Sequence, residues 1–342
     1  MAVITKFEID MLDVKAADAF LIHAFTKETN GSELEYVVLV DAGNEGDGKK
    51  IIDHIQKYYK KHYIDLVIIT HCDIDHYGGM QYLIDKNNEI NDFCIKKVWI
   101  HDPFAHVDVD AVQYIRKEET LRDRLNAAYA FSDGRNLLEL LDYSNINREE
   151  VFRGDEYSPL NIRVLGPDRD YYESLIPDFR VNLDFKEEQP EDEYKGLVSL
   201  AQTKDQFLSK ALEEAEDDKS KVNQSSIVFA FCPKDEIFLF TGDAGREALE
   251  RVINFYNGLK NIKWLKVPHH GSKHNLNNAI ITRLNPRISY ISTEKYKKYA
   301  NICTVNALKK VGNVYSTHNE RCNLWYQEGT DERDDYSTAE SL

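Results

Sequence analysis

The chain has 342 residues, 42% hydrophobic and 11% aromatic, enough apolar material for a sizeable core, which excludes global disorder. No run approaches the roughly 18 apolar residues of a membrane-spanning helix, and the start, MAVITKFEID, has neither a basic nor an apolar leader region. Lys and Arg number 43 against 59 Asp and Glu, a net charge of −16, so any contact with nucleic acid must be local rather than a general coating. Cys72, Cys94, Cys232, Cys303 and Cys322 are odd in number and never spaced as CxxC. They are expected to be reduced thiols in a cytoplasmic protein.

Short β-rich runs come first: KFEIDMLDV (6–14), DAFLIHAF (18–25), EYVVLVDAG (35–43), IDLVIIT (64–70) and KKVWIH (96–101). Between them, Ile51, Ile52, Ile55, Tyr58 and Tyr59 recur at spacings of three and four, which predicts a helix over 48–62, and the run after Gly79 also reads helical. Residues 110–142 read as charged helix, and IRVLGP (162–167) as a strand ending in a turn. The stretch 168–222 is acidic and irregular, with KEEQPEDEYK and EEAEDDK as its densest charge runs. The tail returns to strands at 225–231, 236–243, 262–268, 287–293, 313–318 and 322–327, with helices predicted at 245–258 and 304–311. This pattern predicts a mixed α/β fold in one domain over 1–330, with 110–222 a charged insertion and 331–342 a flexible tail.

The chemistry concentrates in three strand ends. Thr70-His71-Cys72-Asp73-Ile74-Asp75-His76-Tyr77-Gly78-Gly79 places four metal-capable side chains within six residues, directly after the apolar run LVIIT. A strand end followed by a tight loop projects such side chains into one small volume, and the two glycines let the next helix start close to it. Phe238-Leu239-Phe240-Thr241-Gly242-Asp243 ends a second strand on an acid suited to bridge two divalent ions. Trp264-Leu265-Lys266-Val267-Pro268-His269-His270-Gly271-Ser272 ends a third on a histidine pair.

With HxDxDHxGG, TGD and HHGS in this order, the chain resembles the metallo-β-lactamase fold superfamily. Within it the likeness is to the hydrolase domain of the ComEC/Rec2 DNA-uptake proteins and their free-standing soluble relatives. Further points of likeness are MLDVKAADAFLIH, LVDAG (39–43), NQSSIVFAF (223–231) and LKVPHHGS (265–272); the resemblance covers about 6–110 and 222–328. It implies an αββα sandwich with two divalent metal ions at one edge: zinc or manganese, with magnesium the alternative. His71 and Asp73 would hold the first ion, Asp75 and His76 the second, and Asp243 would bridge them. His269 is the preferred ligand from the last motif, with His270 the alternative or a proton donor. Asp73 stands where the superfamily's second histidine falls, which hardens the first site. His101, better placed at its strand end than His106, is the expected further ligand, and Asp41 is expected to orient a metal-binding histidine rather than bind metal.

Two such ions would acidify a bridging water and polarise the scissile group. Asp75, Asp243 and His270 are the expected catalytic side chains, with Cys72 a spacer rather than a nucleophile. Ser272, Lys273, Lys295, Lys297, Lys298 and His318 are the expected substrate contacts, the lysines of EKYKKY reading as a phosphate-backbone track between aromatic residues. The expected activity is a binuclear metal-dependent phosphodiesterase, a nuclease on DNA or RNA, with no membrane association. The alternatives are hydrolysis of a small ester, thioester or lactone, and a metal-stabilised non-catalytic component of a defence-type complex whose acidic insertion binds a protein partner.

Overall fold

The structure, a computed structural model, describes residues 3–89, 93–108, 120–180, 201–294, 300–317, 323–334 and 341–342, with the side chains of 201–204 excepted. Two seven-stranded sheets dominate. The first runs in the order Leu324–Glu328, Val3–Met11, Phe20–Lys27, Glu33–Val40, Leu66–Ile68, Val98–Trp99, Arg148–Glu149. The second runs Asn313–Ser316, Ile288–Ile291, Trp264–Lys266, Phe238–Phe240, Val228–Phe231, Ile162–Gly166, Glu156–Tyr157.

Strand alternation sorts the side chains into layers. Phe20 and Ile22 point between the sheets, where they join Phe7, Phe229, Phe238, Phe240 and Trp264 in one core. Leu21 points the other way, into the apolar layer shared with Ile51, Ile52 and Ile55 of the covering helix. The result is an αββα sandwich.

The helix expected over 48–62 forms as Gly48–His54 followed by a π-helical turn, Ile55–Tyr59. Under it, the outward face of the first sheet is polar. His23 lies between Glu8 (2.8 Å) and Glu35 (2.7 Å), while Tyr59 donates to Asp10. Arg333 donates to both oxygens of Asp10 (2.8 and 2.9 Å) and pairs with Glu8 at 2.8 Å. Where the tail 331–342 is described, Arg333 satisfies a buried carboxylate, and the Leu342 N–H donates to the Val314 carbonyl at 2.8 Å.

The stretch expected as an insertion is in part sandwich. Arg148–Glu149 pairs in parallel with Val98–Trp99, and Ile162–Gly166 pairs antiparallel with both Val228–Phe231 and Glu156–Tyr157. Edge strands of two polar residues carry no period-two alternation, which is why the sequence hides them. The added helices lie on either side, at Leu121–Asn126, Leu137–Tyr143, Arg169–Leu175 and Ala201–Glu213. Among the described residues, no helix is long and apolar enough to cross a membrane.

Candidate metal centre

Parallel pairing aligns the carboxyl ends of Glu33–Val40 with Leu66–Ile68, and those of Phe238–Phe240, Trp264–Lys266 and Ile288–Ile291 with one another. Ligand sites of α/β sheets form at such ends. Here they deliver Asp41, His71, Asp243, His270 and Ser292 to one edge, and the Ile227 N–H donates to the Thr70 carbonyl (2.9 Å), tying the sheets together there. The glycines of the first motif are required by close approach. A Cβ at Gly79 would stand 2.1 Å from the Ala42 carbonyl oxygen, and one at Gly78 2.5 Å from the Glu45 nitrogen.

Two buried aspartates orient three imidazoles. His76 Nδ1 lies 2.8 Å from Asp41 Oδ2, so it donates there and leaves Nε2 as a lone pair. Thr70 Oγ1 also donates to Asp41 Oδ2 (2.8 Å), so it accepts from His71 Nδ1 at 3.0 Å. The other side repeats the device. Ser292 Oγ donates to Asp18, and His270 Nδ1 lies 3.0 Å from that hydroxyl and 3.1 Å from the Ser292 carbonyl. A carbonyl only accepts, so His270 carries its proton on Nδ1 and directs Nε2 inward.

The ring nitrogens face carboxylates. Ligand atoms of His71, His76 and Asp243 lie within 4.8 Å of one another, as do those of Asp75, His76 and His270. His71 Nε2 and His76 Nε2 are buried without a hydrogen-bond partner, although His76 Nε2 is 3.3 Å from Asp243 Oδ2. Orphaned, lone-pair nitrogens beside carboxylate oxygens are a donor set that fits divalent cations. Burial alone would lower the His76 proton affinity, but Asp243, Asp41 and Asp75 around it raise it well above the ordinary value, so a proton and a cation compete for its Nε2 lone pair. Burial likewise would raise the Asp75 carboxyl, yet the imidazoles of His76 and His270 hold it below the ordinary range. Asp73, 3.6 Å from His71 Nε2, and Asp75 keep 34% and 30% of their side chains exposed, so the cluster opens on their side.

Lys266 is the residue the sequence reading passed over. It sits in a buried strand, 2% exposed, with Nζ 3.0 Å from Asp243 Oδ1, 2.6 Å from the Gly242 carbonyl and paired with Asp18. The His269 backbone N–H donates to the same Asp243 oxygen at 3.1 Å. Asp243 is thereby divided: Oδ1 belongs to the protein, and Oδ2 faces His76 and His270 (3.3 and 3.9 Å).

Several expected residues fall elsewhere. His270, rather than the preferred His269, faces the cluster; both have left-handed backbone (φ 52° and 46°), and His269 Nδ1 turns to Asp218 and Asn275, 3.2 Å from each. His101 joins neither group. Its Nε2 lies 2.7 Å from the Val151 carbonyl, and its ring stacks on Phe152 (4.8 Å between centroids) and tilts against Tyr172. His106 pairs with Glu150 and Glu173. Ser272 is buried, its hydroxyl accepting from the His274 N–H at 3.2 Å. Lys273 is half-buried, with its carbonyl held by Arg246 at 2.9 Å. Lys295, Lys297, Lys298 and His318 lie outside the described residues. Cys72 is buried, which pushes its thiol up to about 12 and fits the spacer role.

Burial lowers the His101 pKa to about 4. The unfolded chain therefore binds a proton between pH about 6.5 and about 4 that the folded chain refuses, so stability falls as pH falls through this window. Denaturant unfolding at pH 7 and pH 4.5 should show a wild-type loss that shrinks by about 2 kcal/mol in His101→Gln. Equal losses in both proteins would contradict a neutral buried His101.

Residues 32–91 match the family model of the metallo-beta-lactamase superfamily, a span holding Asp41 and the whole 70–79 motif. Over that span the chain is similar to the superfamily. Its αββα sandwich, with histidines and aspartates at one edge, is consistent with the metallo-beta-lactamase fold. ComE operon protein 3 of Bacillus subtilis strain 168 is 23% identical over 309 residues, covering 85% of this chain; the chain spans 29% of the length of that relative. Two solved structures are also similar. A diphosphatase of the PhnP family is 9% identical with a TM-score of 0.34, covering 89% of this chain and 73% of its own. A long form RNase Z from yeast is 10% identical with a TM-score of 0.36, covering 85% and 38%.

Proposed function

We propose that the chain is a metal-dependent phosphodiesterase, a nuclease on DNA or RNA. The observation that carries the reading is the set of inward Nε2 lone pairs of His71, His76 and His270 facing Asp243 and Asp75, with no activated side-chain nucleophile among them. Cys72 is a buried neutral thiol and Ser272 a buried turn hydroxyl, so water is left as the attacking group. Asp75, His76 and His270 would hold one ion, and His71, Asp243 and Asp73 the other. Divalent ions held there supply Lewis-acid activation of water and of the scissile group.

The chain's own residues do the rest. Asp41 fixes the His76 ring directly and the His71 ring through Thr70. Ser292 fixes His270, whose Nδ1 proton is committed there, which favours a ligand role over proton donation. Lys266 keeps Asp243 Oδ1 occupied and so presents Oδ2 alone. Carboxylates make up half of this set, which tilts it toward harder ions, and the motif resemblance to hydrolase domains of DNA-uptake proteins supports a polynucleotide.

The test is a metal-by-substrate screen on chelator-stripped protein, using bis-p-nitrophenyl phosphate, single- and double-stranded oligonucleotides, an acyl thioester and nitrocefin with manganese, zinc or magnesium. Turnover of phosphodiesters that vanishes with chelator and returns with metal is expected. Turnover confined to the thioester or to nitrocefin would replace this reading with a small-ester hydrolase.

A further inference from the structure

We infer that Arg180, from outside the shared motifs, is a substrate-binding residue that receives the phosphoryl oxygens of the substrate at the candidate metal centre. The substrate class rests on the phosphodiesterase reading; the placement of the arginine does not. Arg180 follows the helix Arg169–Leu175 and the turn Ile176–Asp178, in left-handed backbone with φ 51°. Its Nη2 donates to the Cys72 carbonyl, inside the first motif, and stands 3.4 Å from Asp73 Oδ1. The other oxygen of Asp73 is 3.6 Å from His71 Nε2. The guanidinium is therefore one carboxylate away from a candidate ligand nitrogen, on the side where the cluster opens.

Its donors are largely unspent. Nε is buried with no hydrogen-bond partner, and the contacts of the guanidinium to the Cys72 carbonyl and Asp73 both run through Nη2. A guanidinium fork engaged through one nitrogen keeps the geometry for two-point contact with a phosphate. Other basic groups nearby are committed. Lys266 is buried against Asp18, Asp243 and the Gly242 carbonyl. Arg246 donates to Asp217 and to the carbonyls of Leu276, Ala215, Leu212 and Lys273. In a chain of net charge −16, an anionic substrate needs a local positive group at the open rim, and Arg180 supplies it. The cluster would thus bind the reacting group through shared motif residues, while recognition of its negative oxygens comes from the stretch 110–222.

The experiment compares the full manganese-loaded chain with Arg180→Met and Arg180→Lys, titrating inorganic phosphate by calorimetry and measuring bound manganese in each. We expect phosphate affinity to fall at least about tenfold in Arg180→Met and by less in Arg180→Lys, with manganese content unchanged. On bis-p-nitrophenyl phosphate the Met variant should lose kcat/KM, with KM raised. Wild-type phosphate affinity in Arg180→Met, or affinity lost only in step with manganese, would overturn the inference and leave Arg180 as a strut for the Cys72–Asp73 loop. The two readings fail separately. A wild type that cleaves phosphodiesters while Arg180→Met binds phosphate normally refutes the role of Arg180 alone. Arg180-dependent phosphate binding in a chain that cleaves no phosphodiester supports the anion site and refutes the phosphodiesterase reading.

Discussion

Asp243→Asn should abolish turnover and strip the centre of tightly held metal, while the metal-free chain still folds, at a smaller cost than removing Lys266. The carboxylate has one free oxygen, Oδ2, and it faces His76 Nε2 at 3.3 Å and His270 Nε2 at 3.9 Å. An amide there presents either a neutral oxygen or an N–H, and neither replaces an anionic ligand. Loss of an outer-shell partner of a metal ligand costs roughly 10–100-fold in affinity, so loss of a carboxylate that would itself hold the ion should exceed that. Stability follows a different balance. Lys266 keeps Asp18 and the Gly242 carbonyl when Asp243 loses its charge, and one anion is withdrawn from a cluster that also holds Asp41 and Asp75. Metal content after gel filtration, paired with unfolding in chelator, separates the two effects. Full metal retention by the variant would remove Asp243 from the ligand set.

The motif 70–79 could be placed from sequence because strand end, ligand spacing and glycines lie within ten residues of one another. What could not be placed depends on the path of the chain. Consecutive His269 and His270 cannot be ranked by strand alternation, because both sit in left-handed backbone where alternation has ended. His101 ends a strand as a ligand might, but Phe152 and Tyr172, some 50 and 70 residues further on, close over it. The polar strands Arg148–Glu149 and Glu156–Tyr157 have no apolar period to reveal them. Arg180 carries no local signal at all; only the fold brings it to Cys72 and Asp73. Lys266 did leave a trace. A lysine inside the apolar run WLKVP is a charge that must find a partner, and Asp18, in a segment already matched by resemblance, is that partner.

Lys266→Met should cost the metal-free protein about 3–5 kcal/mol, the usual penalty for breaking a buried ion pair by removing one partner. Methionine fills nearly the same volume, so the loss is electrostatic rather than a cavity. Asp18 is fully buried and Asp243 3% exposed; without the ammonium they face each other across a site with little water to screen them. In the wild type, burial would raise both carboxyls, but Lys266, with His270 and His76, holds them below the ordinary value. Their contribution to stability is therefore present above pH about 4 and lost only as pH falls below it. Removing the lysine removes the strongest opposing charge, so burial and mutual repulsion should lift at least one carboxyl above its unfolded value. A raised carboxyl stabilises at low pH and loses that contribution as pH rises through its folded pKa, so the sign of the pH dependence reverses. Both proteins carry the loss due to His101, but relative to wild type the variant should gain stability between pH 7 and pH 5. Added manganese or zinc should narrow the deficit at pH 7, because a cation at Asp243 Oδ2 replaces part of the missing positive charge. Urea unfolding of both proteins in chelator and in metal, at pH 7 and pH 5, measures all three effects. A variant as stable as wild type in chelator would mean that Lys266 does not balance the aspartates, and the division of Asp243 into a protein-held and an open oxygen would lose its basis.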